Sequence, residues 1–292
     1  MKKWLQAQKN KTWFIFIEEL IFRYNDDRVS EIGAQLTYYL ILSLFPFLIF
    51  FLNLLQFTPL ADVEVLSQLL SVLPAESQKL LYDLITDIVG NSNLALLSVG
   101  ALGAIWSASN GVMAIFKAVN RAYDLEEGRP FIQLRLLAIV FTMGLFLVLM
   151  VSLSVLVFGE TIFNSLFKNP SSGLLLLWRF LRILVPLVFM VLILSLLYKI
   201  APSAKKGVSI PWKSTLWGSI FTAVGIIIFS NFFSYYINQF GNYTKTYGSI
   251  GGIIILLVWL YISSILIVLG AEVNASLLAI QNALPLKCRL KS

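Results

Sequence analysis

One carboxylate lies inside a long apolar run of this 292-residue chain: Glu272, in SSILIVLGAEVNASLLA. An ionisable group surrounded by hydrocarbon is costly, and where it occurs it marks a transport pathway, a proton relay or an internal ion pair. Two chemistries are open to Glu272. It can exchange a proton during transport, or it can close a salt bridge with Arg121 or Arg135 at the same end of the molecule. Asn274, two residues on, adds an amide that needs several hydrogen-bond partners.

A second polar stretch, GALGAIWSASNGVMAIFKAVNRAYD, begins at Gly100. Its small residues form two ridges, Gly100/Ala104/Ala108 and Gly103/Ser107/Gly111, which suit close helix packing. Asn110 differs, because a buried amide has to be satisfied or hydrated. At about 1.5 Å per residue it lies about 24 Å along the helix from Leu94. Gln35 and Tyr38 open another apolar run at that level, and Arg121 follows shortly after Asn110. Gln35, Tyr38, Ser107, Asn110, Arg121, Glu272 and Asn274 are thus candidates to line one polar cavity that binds or couples a substrate.

Toward the opposite face, Arg179 and Arg182 stand i,i+3. Guanidinium suits phosphate, so the pair can hold an anionic head group; simple snorkelling to the interface explains it equally well. Pro46 and Pro186 interrupt apolar runs and leave the Leu42 and Arg182 carbonyls without their usual donors. Broken helices supply polar backbone at transporter midplanes, and static kinks look the same in sequence.

Much chemistry is excluded. The chain has no histidine, which removes His-dependent triads, HExxH metal sites and histidine proton relays. Its single cysteine, Cys288, can form no internal disulfide and no CxxC motif. No Walker A sequence is present, so ATP does not drive the chain directly. Asp124, Glu126 and Glu127, beside Arg121 and Arg129, read as a solvated charged turn. The expectation is a protein that is not an enzyme and that carries no cofactor or metal.

The elements that position these residues follow from composition. The chain is 58% hydrophobic and 13% charged, with a mean hydropathy of +0.83. Soluble domains are nearer one quarter charged, so lipid must solvate much of this chain. A bilayer core of about 30 Å needs roughly 20 apolar residues per helix. Six runs qualify: Gly33 to Phe57, Leu94 to Phe116, Leu136 to Phe158, Leu174 to Tyr198, Trp212 to Ile237 and Ser249 to Ala275. The fold class is therefore all-α, a polytopic membrane protein with six transmembrane helices plus amphipathic interfacial helices.

Charge sets the expected orientation. Lys2, Lys3, Lys9, Lys11, Arg23 and Arg28 precede the first run. Lys117, Arg121, Arg129 and Arg135 separate the second from the third, and Lys199, Lys205, Lys206 and Lys213 the fourth from the fifth. Lys287, Arg289 and Lys291 close the chain, whereas the alternate loops hold only Lys79, Lys168 and Lys245. By the positive-inside rule both termini are cytoplasmic. The net charge of +7 is then a record of topology, and no nucleic-acid partner is expected.

The expected organisation is a cytoplasmic amphipathic segment (residues 1–32), a six-span domain (33–280) with a structured outer loop (58–93), and a basic cytoplasmic tail (281–292). WFIFIEELIFRY, from Trp13 to Tyr24, is expected to lie along the cytoplasmic membrane surface, or to pack as a soluble helix on the bundle. Gly248 and Gly252 can support a helix contact within or between chains, which leaves the oligomeric state open.

Several segments resemble the YihY/BrkB family of bacterial inner-membrane proteins over approximately residues 20 to 280. They are GAQLTYYLILSLFP, WSASNGVMAIFKAVNRAYDLEEGRPF, YKIAP and YGSIGGIIILLVWLYISSILIVLGAEVN. The resemblance implies six spans with both ends in the cytoplasm. It also implies links to envelope integrity and to solute or lipid export, and a ribonuclease label that the residue content of this chain argues against. The leading functional expectation is a transporter or flippase-like protein that moves an amphipathic anionic lipid or envelope precursor, with membrane lipids as partners. The alternatives are a cation/proton antiporter using Glu272 and a noncatalytic membrane scaffold.

Overall fold

The computed structural model describes residues 12–55, 94–167, 171–203, 210–240 and 250–281; among them are seven helices and no strand. In chain order these are α1 (Thr12–Asp26), α2 (Val29–Leu55), α3 (Leu94–Ala122), α4 (Phe131–Leu166), α5 (Ser172–Ile200), α6 (Trp212–Phe240) and α7 (Ile250–Gln281). The expected outer-loop helices in 58–93, the tail beyond Gln281, and Gly248 lie outside the described residues.

Five of the helices are long and apolar enough to cross a membrane: Ser98–Ala122, Phe131–Val148, Gly173–Ile200, Trp212–Ile237 and Gly251–Ile280. The first expected span falls on α2, a helix of 27 residues. Large apolar side chains lie at the surface, and hydroxyls are among the buried groups. Leu102, Ile132, Leu176, Ile228 and Phe232 are exposed, whereas Ser195, Thr215, Ser219, Thr222 and Ser264 are buried. In lipid this is the stable arrangement, because acyl chains solvate large apolar side chains and small residues let backbones approach.

Two compact units divide the chain, residues 1–37 with 111–292 and residues 38–110. In the first, α4 packs on α5, α5 on α6, α6 on α7, and α7 on α1. The start of α2 also meets α7, where a Cβ on Gly33 would fall 2.7 Å from Ile265 Cγ1. In the second, Gly103 of α3 faces the ring of Pro46 in α2.

Local chemistry explains the element ends. Pro130, at φ −61°, precedes α4 and cannot extend a helix backward. The Ser171 hydroxyl caps α5 by accepting from Leu174 N at 3.4 Å. Arg28 and Asp124 both take φ 54°, left-handed residues in the short links after α1 and after α3. Of the two readings open at Pro46 and Pro186, a broken helix or a static kink, α2 and α5 favour the second by running continuously through both prolines.

Candidate functional site

The N-terminal helix is amphipathic with its charged side turned inward. Glu19, Arg23 and Asp27 recur at four-residue intervals and are buried, while Trp13, Ile17 and Ile21, also spaced by four, are exposed. A helix lying on the membrane by its apolar face alone would leave those charges in water. Here they pack into the first unit, against α7 and the end of α3.

Arg23 is the hub. Its Nε donates to Glu19 Oε1 at 2.6 Å, and its Nη1 donates to the Ala122 carbonyl at 2.6 Å. The same Nη1 lies 3.7 Å from Glu272 Oε2. The Arg23 and Glu272 side chains are 4% and 1% exposed, so the pair is screened from water and its Coulomb attraction is strong. An inner-end ion pair was one of the two chemistries open to Glu272. Arg23 is such a partner, whereas Arg121 is committed elsewhere. Arg121 bonds Asp27 Oδ1 at 3.1 Å and the Asp26 carbonyl at 3.0 Å, and Arg135 donates to Met113 Sδ at 3.3 Å.

Tyr123, just past the end of α3, completes this cluster. Burial pushes its hydroxyl well above the ordinary tyrosine range; nearby Tyr198 and Glu272 add to the rise, and Arg23 opposes it. Its Oη has no hydrogen-bond partner among the described residues.

Beside the cluster, Asn120 ties the end of α3 to the end of α5. Its amide donates to Glu127 Oε2 at 2.8 Å and to the Ala201 carbonyl at 3.3 Å, and its Oδ1 accepts from Ser203 N at 2.7 Å. Arg129 grips Glu127 through Nε and Nη2, both at 2.7 Å, and donates to the Ile200 and Ala201 carbonyls. The expected solvated turn is thus partly a clamp: Asp124 and Glu126 are exposed, but Glu127 is held.

Burial disfavours the charged form of Glu127, yet the side-chain and backbone hydrogen bonds from Arg129 outweigh it and hold its carboxyl below the ordinary value of 4.5. A depressed folded pKa contributes stability that is fully present above the unfolded value and is lost as pH falls through the folded one. The melting temperature of wild type should therefore exceed that of Glu127→Gln at neutral pH. The difference should close as pH is lowered below 4.5. A difference that stays constant into acid would contradict this assignment.

Toward the middle of the bundle, α6 and α7 touch through Gly218 and Gly270. Asn274 accepts from Gly218 N at 2.6 Å and donates to the Thr215 carbonyl at 3.2 Å. Tyr198 reaches over from α5, donating to the Ile267 carbonyl at 2.6 Å and sharing a 3.1 Å bond with Thr222.

Within the first unit the expected cavity residues face different neighbours. Glu272 faces α1, whereas Asn274, two residues and about 200° further around the helix, binds α6. Arg121 sits at the surface on Asp27, and Gln35 is exposed. Tyr38, exposed and tilted against Tyr39, belongs to the second unit, as do the half-buried Ser107 and Asn110. Arg179 is exposed among leucines, and the Arg182 side chain lies outside the described residues. Sequence reasoning missed Glu19, Arg23, Asp27, Tyr123 and Asn120. The four-residue spacing of Glu19, Arg23 and Asp27, opposite Trp13, Ile17 and Ile21, was the available signal.

A family model described as Virulence factor BrkB matches residues 20–286. A Bacillus subtilis relative with a ribonuclease-like name, YfkH, is 41% identical over 264 residues, which cover 90% of this chain and 94% of that one. A UPF0761 membrane protein of Nitrosospira multiformis is 27% identical over 269 residues, 90% of this chain and 60% of the longer relative. One from Alteromonas mediterranea is 26% identical over 266 residues, covering 88% and 85%. No solved structure matches the chain. With a family model and a relative both aligned along most of its length, this protein belongs to the BrkB family of membrane proteins.

Proposed function

We propose that the protein is a lipid translocator of the bacterial cytoplasmic membrane, moving an amphipathic anionic lipid or envelope precursor. In this reading α2 is the first of six spans, and both termini are cytoplasmic, on the side rich in lysine and arginine. The charged face of α1 docks on the inner end of the bundle, and its Trp13/Ile17/Ile21 stripe enters the inner leaflet.

The observation that carries the substrate class is Arg179. It is exposed on α5 among the exposed side chains of Leu175, Leu176, Leu177, Phe180 and Leu181. A guanidinium on such a surface meets a lipid whose phosphate can take a bidentate bond while its tails lie along the leucines. The reading is noncatalytic. The ribonuclease-like name is that of the relative, and this chain has no histidine for such chemistry. The acids Glu19, Asp27, Glu127 and Glu272 each lie against an arginine.

Reconstitution in vesicles containing trace fluorescent phosphatidylglycerol, phosphatidylethanolamine or phosphatidylcholine provides the test. Protein-dependent exchange between leaflets should be fastest for the anionic lipid. Arg179→Ala should slow it about tenfold, the equivalent of about 1.4 kcal/mol for a lost charge-assisted bond. Exchange absent for all three head groups would overturn the proposal.

A further inference from the structure

Two hydroxyls beside Glu272 are buried and have no partner among the described residues. Tyr123 Oη and Ser276 Oγ have no hydrogen-bond partner among the described residues, and Ser276 is completely inaccessible. Native proteins leave few such groups orphaned, and an ordered water or ion is a common partner for those that remain. Ser276 follows Glu272 by one helical turn, on the same face of α7. Tyr123 directly follows Ala122, whose carbonyl accepts from the same Arg23 Nη1 that lies 3.7 Å from Glu272. The two orphan oxygens therefore belong to residues that flank the Arg23–Glu272 contact.

The groups around that place decide the sign of what enters. From α1 come Glu19 and Arg23, from the end of α3 Tyr123, and from α5 Tyr198 behind it. Two carboxylates flank the same guanidinium, so an anion is repelled. The donors are hard oxygens, which suit small, hard cations, and the count of charges favours a single positive one.

We propose that Glu272, Tyr123 and Ser276 form a buried site for one monovalent cation, either sodium or a proton carried on water. The site is built where the N-terminal helix meets α7, so its occupancy and the docking of α1 are linked. It stands on these oxygens and not on the lipid reading, and binding alone tests it.

Tyr123→Phe and Ser276→Ala each remove one orphan oxygen and no hydrogen bond of the protein. If the oxygens are merely orphaned, both changes should leave the protein as stable as wild type or more so. If they hold a cation, both should weaken it. The full chain in lipid nanodiscs is melted in NaCl and in N-methyl-D-glucamine chloride of equal ionic strength, across pH 5 to 9, and radioactive sodium binding is measured alongside.

Sodium occupancy predicts higher stability in NaCl and saturable sodium binding, at least tenfold weaker in both variants. Proton occupancy predicts no sodium effect, but a wild-type stability that falls with rising pH and a smaller fall in both variants. Glu18→Gln, at an exposed position, should behave as wild type in each case. Stability indifferent to sodium, together with variants that match or exceed wild type at every pH, would overturn the site and leave the lipid assay untouched.

Discussion

Arg23→Met should lower stability by about 3–5 kcal/mol, the cost of removing one partner from a buried ion pair. The guanidinium stands between Glu19 and Glu272 and also satisfies the Ala122 carbonyl, so its loss leaves two carboxylates facing each other and one carbonyl without this donor. Methionine keeps most of the volume, which separates the electrostatic effect from a cavity. The matching prediction concerns restoration. Glu19→Gln and Glu272→Gln added to Arg23→Met should recover much of the loss, because a neutral buried cluster avoids the desolvation that the ion pair had offset. Reversible unfolding of the purified protein in mixed micelles measures both. A single substitution costing less than about 1 kcal/mol, the value of an exposed pair, would show that the cluster is hydrated and not buried.

This prediction depends on residues that the sequence shows only in part. The long apolar runs were legible because lipid selects for them directly. Five of the six appear as membrane-competent helices, with boundaries shifted mainly by helical turns that continue past the apolar run, as at Leu166 and Gln281. Glu272 was legible for the same reason, since a carboxylate in an apolar run stands out against its background. Its partner was not. Arg23 is 249 positions away in a segment whose composition suggested a surface helix, and only the fold shows that its charged face is the packed one. Periodicity alone separates the two faces of α1 without saying which faces protein, because in a membrane protein either face can be solvated.

Asn274 illustrates the opposite error. An amide near Glu272 looked like part of one polar cluster, but residues two apart on a helix face away from each other. The Asn274 side chain serves the α6 backbone, and its polarity is explained by the buried peptide groups of Gly218 and Thr215 that it bonds. The same logic accounts for the glycines. Gly252, which sequence spacing offered as a helix contact, would meet no described atom within 4 Å on gaining a Cβ. The close approach is instead at Gly218 and Gly270, a pair that no single-segment motif reveals because its members lie on different helices.

Gly270→Ala is accordingly expected to cost at least about 3 kcal/mol, as overpacking of about 1–3 kcal/mol combines with loss of buried hydrogen bonds. The added Cβ would fall on Thr222 Oγ1, 2.5 Å from Tyr198 Oη and 2.8 Å from the Gly218 carbonyl oxygen. Two of these neighbours are hydrogen-bonded hydroxyls and the third is backbone, so none can swing aside cheaply. Relief requires α6 and α7 to part, which stretches the bonds of Asn274 to Gly218 and of Tyr198 to Ile267. Gly218→Ala should behave alike, since its Cβ would strike the Gly270 carbonyl and come within 2.5 Å of Asn274 Nδ2. Gly252→Ala, in the same helix but at an exposed position, should be neutral or gain up to about 1 kcal/mol from helix propensity. Unfolding of the three variants side by side distinguishes packing from propensity. Equal stabilities across the set would mean that α6 and α7 do not meet at these glycines.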